Sequence, residues 1–142
     1  MRFDIFNRAM VEKYNATEKH VVISLRNPKS EKPKLSESCQ DSRLDALYLE
    51  VDDSDKDGKG RVLFTEQMAS KIWTFVNYYK DKVDLIVINC EAGISRSSAV
   101  GAALSNVING NDKDFFRYFY PNMYIYRKVL TNKREESTNE KN

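Results

Sequence analysis

The apolar positions along this chain repeat with two periods. Asp84-Leu-Ile-Val-Ile-Asn89 is an unbroken aliphatic run of strand length, rich in β-branched residues, as in a strand buried on both faces. His20 to Leu25 (HVVISL) is a second strand, and Ala46 to Val51, with Leu47, Leu49 and Val51 on one face, is a third. Elsewhere the spacing is helical. Ile5, Phe6, Ala9, Met10 and Lys13 predict a short amphipathic helix over Ile5 to Tyr14; Met68, Ile72, Phe75 and Tyr79, broadened by Trp73 and Val76, predict one over Thr65 to Tyr79. Val100, Ala103, Leu104, Val107 and Ile108 place another from Arg96 onward, with Ser95, Ser97 and Ser98 as N-cap or first-turn residues. Asn109-Gly-Asn-Asp is a turn, Asp112 a candidate cap for Lys113 to Phe119, and Pro121 the expected start of a last helix through Leu130. This alternation predicts an α/β fold: a single domain over residues 1–130 with a central, mostly parallel sheet of about four strands flanked by helices. Residues 131–142, TNKREESTNEKN, hold no apolar side chain and are expected to be a disordered tail.

Composition narrows the functional classes. The 23 basic and 21 acidic residues leave a net charge of +2, which makes no general case for nucleic acid or a membrane surface. With no long apolar segment and two cysteines in different contexts, the expectation is a cytoplasmic protein in a reducing compartment. A Cys39–Cys90 disulfide acting as a redox switch is a minor alternative. His20 is the only histidine, so a His-based triad or metal site lacks parts; it reads as an exposed or capping residue. Asn27 to Ser42, polar and carrying Pro28 and Pro33, reads as a long loop.

The chemistry concentrates between the aliphatic strand and the helix that follows it, in Cys90-Glu-Ala-Gly-Ile-Ser-Arg96-Ser97. A loop there turns its backbone N–H groups and the positive end of the helix dipole toward whatever lies above, which makes an anion site. A cysteine opening such a loop has its thiolate stabilised and becomes a nucleophile at neutral pH. Gly93 lets the loop curl, and Arg96 offers a planar fork for two oxygens of a phosphate. Cys90, Gly93, Arg96 and Ser97 match the C-x-x-G-x-x-R-[ST] signature, and the chain in this respect resembles the protein tyrosine phosphatase superfamily, in particular its compact dual-specificity-like branch.

The resemblance implies a cysteine-dependent phosphomonoester hydrolase acting on phosphotyrosine, phosphoserine or phosphothreonine of proteins, or on a small phosphomonoester, without metal or other cofactor. Cys90 would attack phosphorus while Arg96 and the loop amides of Glu91, Ala92, Gly93, Ile94, Ser95 and Arg96 hold the equatorial oxygens. Ser97 would stabilise the departing thiolate. A loop aspartate a few tens of residues earlier serves as general acid in the resembled family. Asp53, just past the third strand in Asp52-Asp-Ser-Asp-Lys-Asp57, is the first candidate, with Asp52 and Asp55 in reserve.

Two departures bear on this reading. The family usually has His before the cysteine and this chain has Asn89, which implies a less acidic thiol and, as an alternative function, a phosphate-binding module with little or no turnover. Glu91 at the first variable loop position puts a carboxylate where it would repel highly charged substrates. A third reading starts from Asp55 to Glu66, which resembles an EF-hand calcium loop at its first, third, sixth, eighth and twelfth positions but has Lys59 where the fifth ligand belongs, follows a strand and has no second loop to pair with. A calcium-binding interaction domain is therefore the weakest of the three.

Overall fold

The computed structural model describes residues 1–133 apart from Asp57 and Lys59. Four strands, β1 (Arg2–Phe6), β2 (His20–Arg26), β3 (Arg43–Glu50) and β4 (Leu85–Asn89), form one sheet in the order β1-β4-β2-β3, and every pairing is parallel. The aliphatic run is β4. It lies between two neighbours and is buried at all five positions, so its lack of alternation follows from its place in the sheet.

Around the sheet run α1 (Arg8–Lys13), α2 (Glu66–Tyr79), α3 (Arg96–Asn109), α4 (Lys113–Tyr118) and α5 (Met123–Thr131). Alternate strand residues Val21, Ile23, Leu25, Ile86 and Ile88 meet α2, α3 and α5 in the larger core, through Ile72, Trp73, Val100, Leu104, Ile125 and Val129. The opposite face buries Val22, Leu85 and Val87 under Val11 of α1, with Tyr14 and Leu35 packed beside them. Trp73 is satisfied inside the larger core: its Nε1 donates to the Val129 carbonyl at 2.7 Å, which ties α2 to α5.

Several sequence-based expectations are corrected. Ile5 and Phe6 belong to β1 rather than to a helix over Ile5–Tyr14; Asn7 ends the strand and caps α1, its side chain accepting from the Met10 amide at 2.7 Å. The last helix starts at Met123, capped by Asn122, and not at Pro121. His20 is fully buried rather than exposed, with Nδ1 at 2.9 Å from the Glu18 carbonyl and its ring against Tyr14. Cys39 is buried in a 3-10 turn (Glu37–Cys39) inside the expected loop, where its thiol donates to the Tyr14 carbonyl. That turn precedes β3 and lies at the amino ends of the strands, whereas Cys90 follows β4 at the carboxyl ends. A five-residue strand alone spans about 17 Å, so cysteines at its opposite ends lie beyond disulfide reach, and both are free. Of the expected tail, Thr131 closes α5 and residues 134–142 lie outside the described part.

Candidate active site

Parallel strands bring four chain segments to one edge: Asn7 after β1, Asn27 after β2, Val51 to Asp53 after β3, and Cys90 after β4. Cys90 is 2% exposed, at the floor of the loop that joins β4 to α3. Its Sγ lies 3.1 Å from Ser97 Oγ and accepts from the Gly93 amide at 3.2 Å. Burial alone pushes the thiol pKa up. The Ser97 hydroxyl and the backbone amides of Ser97, Ile94 and Gly93 outweigh it and hold the thiol below its ordinary value.

The loop is built so that these donors converge. Gly93 has φ +70°, and a Cβ there would lie 2.6 Å from the Asn7 amide nitrogen and 2.8 Å from the Phe6 carbonyl carbon, so the curl needs glycine for its conformation and for its contact with the β1–α1 turn. Ser98 Oγ donates to the Ile94 carbonyl at 2.5 Å and reaches the Ser95 carbonyl at 3.2 Å, anchoring the loop carbonyls to the helix. Ser95 is the N-cap residue of α3 by position, yet its hydroxyl makes no capping bond. It donates instead to Asp53 Oδ1 at 2.9 Å, and the Ser97 amide in the first turn of α3 is directed at the sulfur.

Arg96 is buried and aimed from both sides. Its Nη1 donates to Asn27 Oδ1 at 2.7 Å and to the Val51 carbonyl at 2.8 Å, which fixes the guanidinium plane. Among the described residues no acceptor engages Nε or Nη2, so that edge of the fork is left for an anion.

Asp53 is exposed but held: Oδ1 accepts from Ser95 and also from Asn122 Nδ2 at 2.8 Å. Asn122 Nδ2 further reaches the Ser54 carbonyl, its Oδ1 caps α5 through the Ile125 amide at 3.0 Å, and its own amide donates to the Ser95 carbonyl at 3.1 Å. One asparagine thus joins the acidic loop, the Cys90 loop and α5. Asp52 is differently used, accepting from the Val62 amide at 2.6 Å and closing the loop on itself. A cavity of about 680 Å³ opens beside Asp53, lined by Asp52, Asp55, Arg61, Asn122 and Arg127 among others.

The Glu91 carboxylate does not stand free at the rim, as its position suggested. Arg8 Nη1 lies 3.2 Å from it and the Arg8 amide donates to the Glu91 carbonyl, so the repulsion expected from it is offset. Ala92 and Ile94 are exposed. Asn89 shares the α1 face of β4 with Leu85 and Val87: Nδ2 is 3.5 Å from the Cys90 carbonyl, while Oδ1 is buried with no hydrogen-bond partner. Its register partner on β2, Ser24, has a buried hydroxyl in the same condition. Even so, the thiol beside Asn89 is acidified. The Asp55–Glu66 segment is not helix-flanked at its start: β3 precedes it, and Glu66, at its twelfth position, opens α2 at 4.0 Å from Lys128 Nζ; Asp57 and Lys59 lie outside the described residues. Among the described residues no helix is long and apolar enough to cross a membrane.

Sequence reasoning missed Asn27, Asn122 and Arg8. Asn27 had a signal, as the first residue past a strand that ends at the same edge as Cys90. Asn122 had another, a capping asparagine between Pro121 and an apolar-periodic stretch.

No family profile and no curated protein matches the sequence. Solved structures do match in shape. The crystal structure of the human tyrosine phosphatase-like serine/threonine/tyrosine-interacting protein aligns over 91% of this chain and 89% of its own, with TM-score 0.64 and 17% identity. That of human DUSP28 aligns over 99% and 95%, with TM-score 0.61 and 12% identity. Tk-PTP in its active form aligns over 91% and 90%, with TM-score 0.59 and 13% identity. The chain thus has the fold of the dual-specificity and tyrosine-phosphatase-like proteins.

Proposed function

We propose that this protein is a cysteine-dependent phosphomonoester hydrolase, with phosphotyrosine or phosphoserine/threonine of proteins as the substrate class. The observation that carries the proposal is the acidified, buried Cys90, hydrogen-bonded by Ser97 and Gly93 within a loop whose arginine is already anchored. A phosphoryl group above the sulfur would meet the loop amides and the open edge of Arg96. Cys90 displaces the ester oxygen, forming a sulfur–phosphorus bond, and Asp53 protonates the leaving alkoxide or phenoxide. Water, deprotonated by the same aspartate, then cleaves the cysteinyl phosphate to inorganic phosphate, and Ser97 stabilises the released thiolate. Asp53 is favoured over Asp52, whose carboxylate is engaged by Val62, and over Asp55, which has no tie to the Cys90 loop. The catalytic domain so proposed is residues 1–130, in a cytoplasmic protein.

The test is phosphate release from a small aryl phosphate, with chelator present, by wild type and by Cys90→Ser, Asp53→Ala and Asp55→Ala. Turnover abolished by Cys90→Ser and reduced at least about 100-fold by Asp53→Ala alone supports the assignment. A second reading rests on Asn89, whose weak contact and unpartnered oxygen leave the loop less braced than a charged residue would. On that reading the site binds phosphorylated protein without turnover. Phosphopeptide binding that needs Arg96, with no phosphate release from pH 5 to 8, would establish it in place of the enzyme.

A further inference from the structure

β3 is the longest strand of the sheet and has a neighbour on one side only. The Val51 amide donates to the Arg26 carbonyl, which sets the phase of the ladder: Asp45, Leu47 and Leu49 turn their backbone groups toward β2, and Ala46, Tyr48 and Glu50 turn theirs to the open side. The Ala46 amide is taken by the Asp45 side chain at 2.7 Å. The amides of Tyr48 and Glu50, and the carbonyls around them, pair with no backbone group among the described residues.

A groove of about 430 Å³ runs along this edge. One lip is formed by Met68 and Lys71 of α2 and the other by Lys32, whose ammonium lies 4.6 Å from the centre of the Tyr48 ring. Leu47 and Tyr48 supply apolar floor on the two sides of the strand. The charges are unbalanced. Arg26 is matched by Glu50 at 2.9 Å, whereas Lys32 and Lys71 have no carboxylate within ion-pair distance among the described residues.

We propose that the open edge of β3 docks an extended, acidic segment of a partner protein by strand addition. Main-chain bonds to Tyr48 and Glu50 would hold the segment. Because successive side chains of a strand point to opposite faces, two adjacent acidic residues reach Lys71 on one lip and Lys32 on the other, and flanking apolar residues cover Met68 and Tyr48. A second copy of this chain is a poor occupant. The other open edge, β1, is only five residues long, and its one acid, Asp4, has Arg2 at 3.9 Å. Joining β1 to β3 would also be a heterologous contact, which leads to a ring or an open filament rather than to a two-fold dimer. This docking is independent of turnover at Cys90.

The experiment uses a fluorescein-labelled octapeptide with a Val-Glu-Glu-Val core, titrated against the full chain at low salt, with amide hydrogen exchange recorded at saturation. Saturable binding, slowed exchange at Tyr48 and Glu50, and a loss of affinity of about 10-fold or more in Lys32→Glu/Lys71→Glu support the proposal. A Val-Lys-Lys-Val peptide, or one N-methylated along its bonding edge, should bind at least about 10-fold more weakly to wild type, a comparison that stands even where the double variant fails to fold. Absence of saturable binding, equal binding of the lysine or N-methylated peptide, or protection elsewhere than β3 overturns it. So does self-association of the protein alone that Lys71→Glu dissolves, which would assign the edge to a second copy. Aggregation of Lys32→Ala/Lys71→Ala in a protein that binds no peptide would mean that the lysines only guard the edge.

Discussion

Cys90 shows how a buried thiol is made acidic without a neighbouring cation in contact. Desolvation opposes ionisation, and the donors of Ser97, Ile94 and Gly93 reverse the sign. Ser97→Ala removes one of these donors, so the thiol pKa should rise toward its ordinary value, seen as an alkaline shift in the pH dependence of Cys90 alkylation. A phosphatase would also lose thiolate stabilisation when the intermediate breaks down, and burst kinetics with slower steady-state turnover should follow. An unmoved alkylation profile would show that the amides alone set the pKa. Gly93→Ala acts on the frame: the left-handed backbone and the 2.6 Å approach to Asn7 together should cost about 2–4 kcal/mol, read by denaturant unfolding. Cys90, Gly93, Arg96 and Ser97 were legible because they are local, a short loop bounded by a strand and a helix. Arg8 and Asn27, which neutralise Glu91 and aim Arg96, come from the first turn of α1 and the segment after β2, at sequence separations of 83 and 69; only the strand end before Asn27 hinted at either, and nothing local pointed to Arg8.

At the scale of elements, the ends of helices do more than their lengths suggest. Thr65 caps α2 in the ordinary way, through the Met68 amide. Asn122 caps α5 and with the same side chain latches Asp53 to the rest of the site. Asn122→Ala should therefore lower stability by about 1 kcal/mol, as the loss of a cap does, and should also free Asp53. The second effect has its own signature. Turnover of aryl phosphates with poor leaving groups should fall more steeply than that of activated ones, whereas a purely structural role would lower all substrates alike. The helix over Ile5–Tyr14 was misread for a related reason. Phe3 and Ile5 pack on the larger core while Phe6 turns to the other face, so a five-residue edge strand followed at once by a capped helix blends two periods into one apparent stripe.

For the whole molecule, the decisive fact is strand order. Placing β4 between β1 and β2 brings Asn7 and Asn27 to either side of the Cys90 loop, and no local pattern in the sequence states that order, since it depends on which strands pair across long connections. The helical face is held together through α5, which meets both α2 and α3 and presents Asn122 to the site. Trp73→Phe tests how far stability and site are coupled. It keeps most of the aromatic volume, leaves the Val129 carbonyl without its indole donor and opens a small void. The expected loss is about 2 kcal/mol, or roughly 6 °C in Tm for a domain of this size. Because the Asn122 latch lies at the opposite end of α5 from Val129, aryl phosphate turnover at 25 °C should stay within about twofold of wild type. A large fall in turnover with Tm unchanged would instead mean that the α2–α5 contact sets the position of Asp53, and that the acid loop is tensioned through the length of the helix rather than pinned at its end.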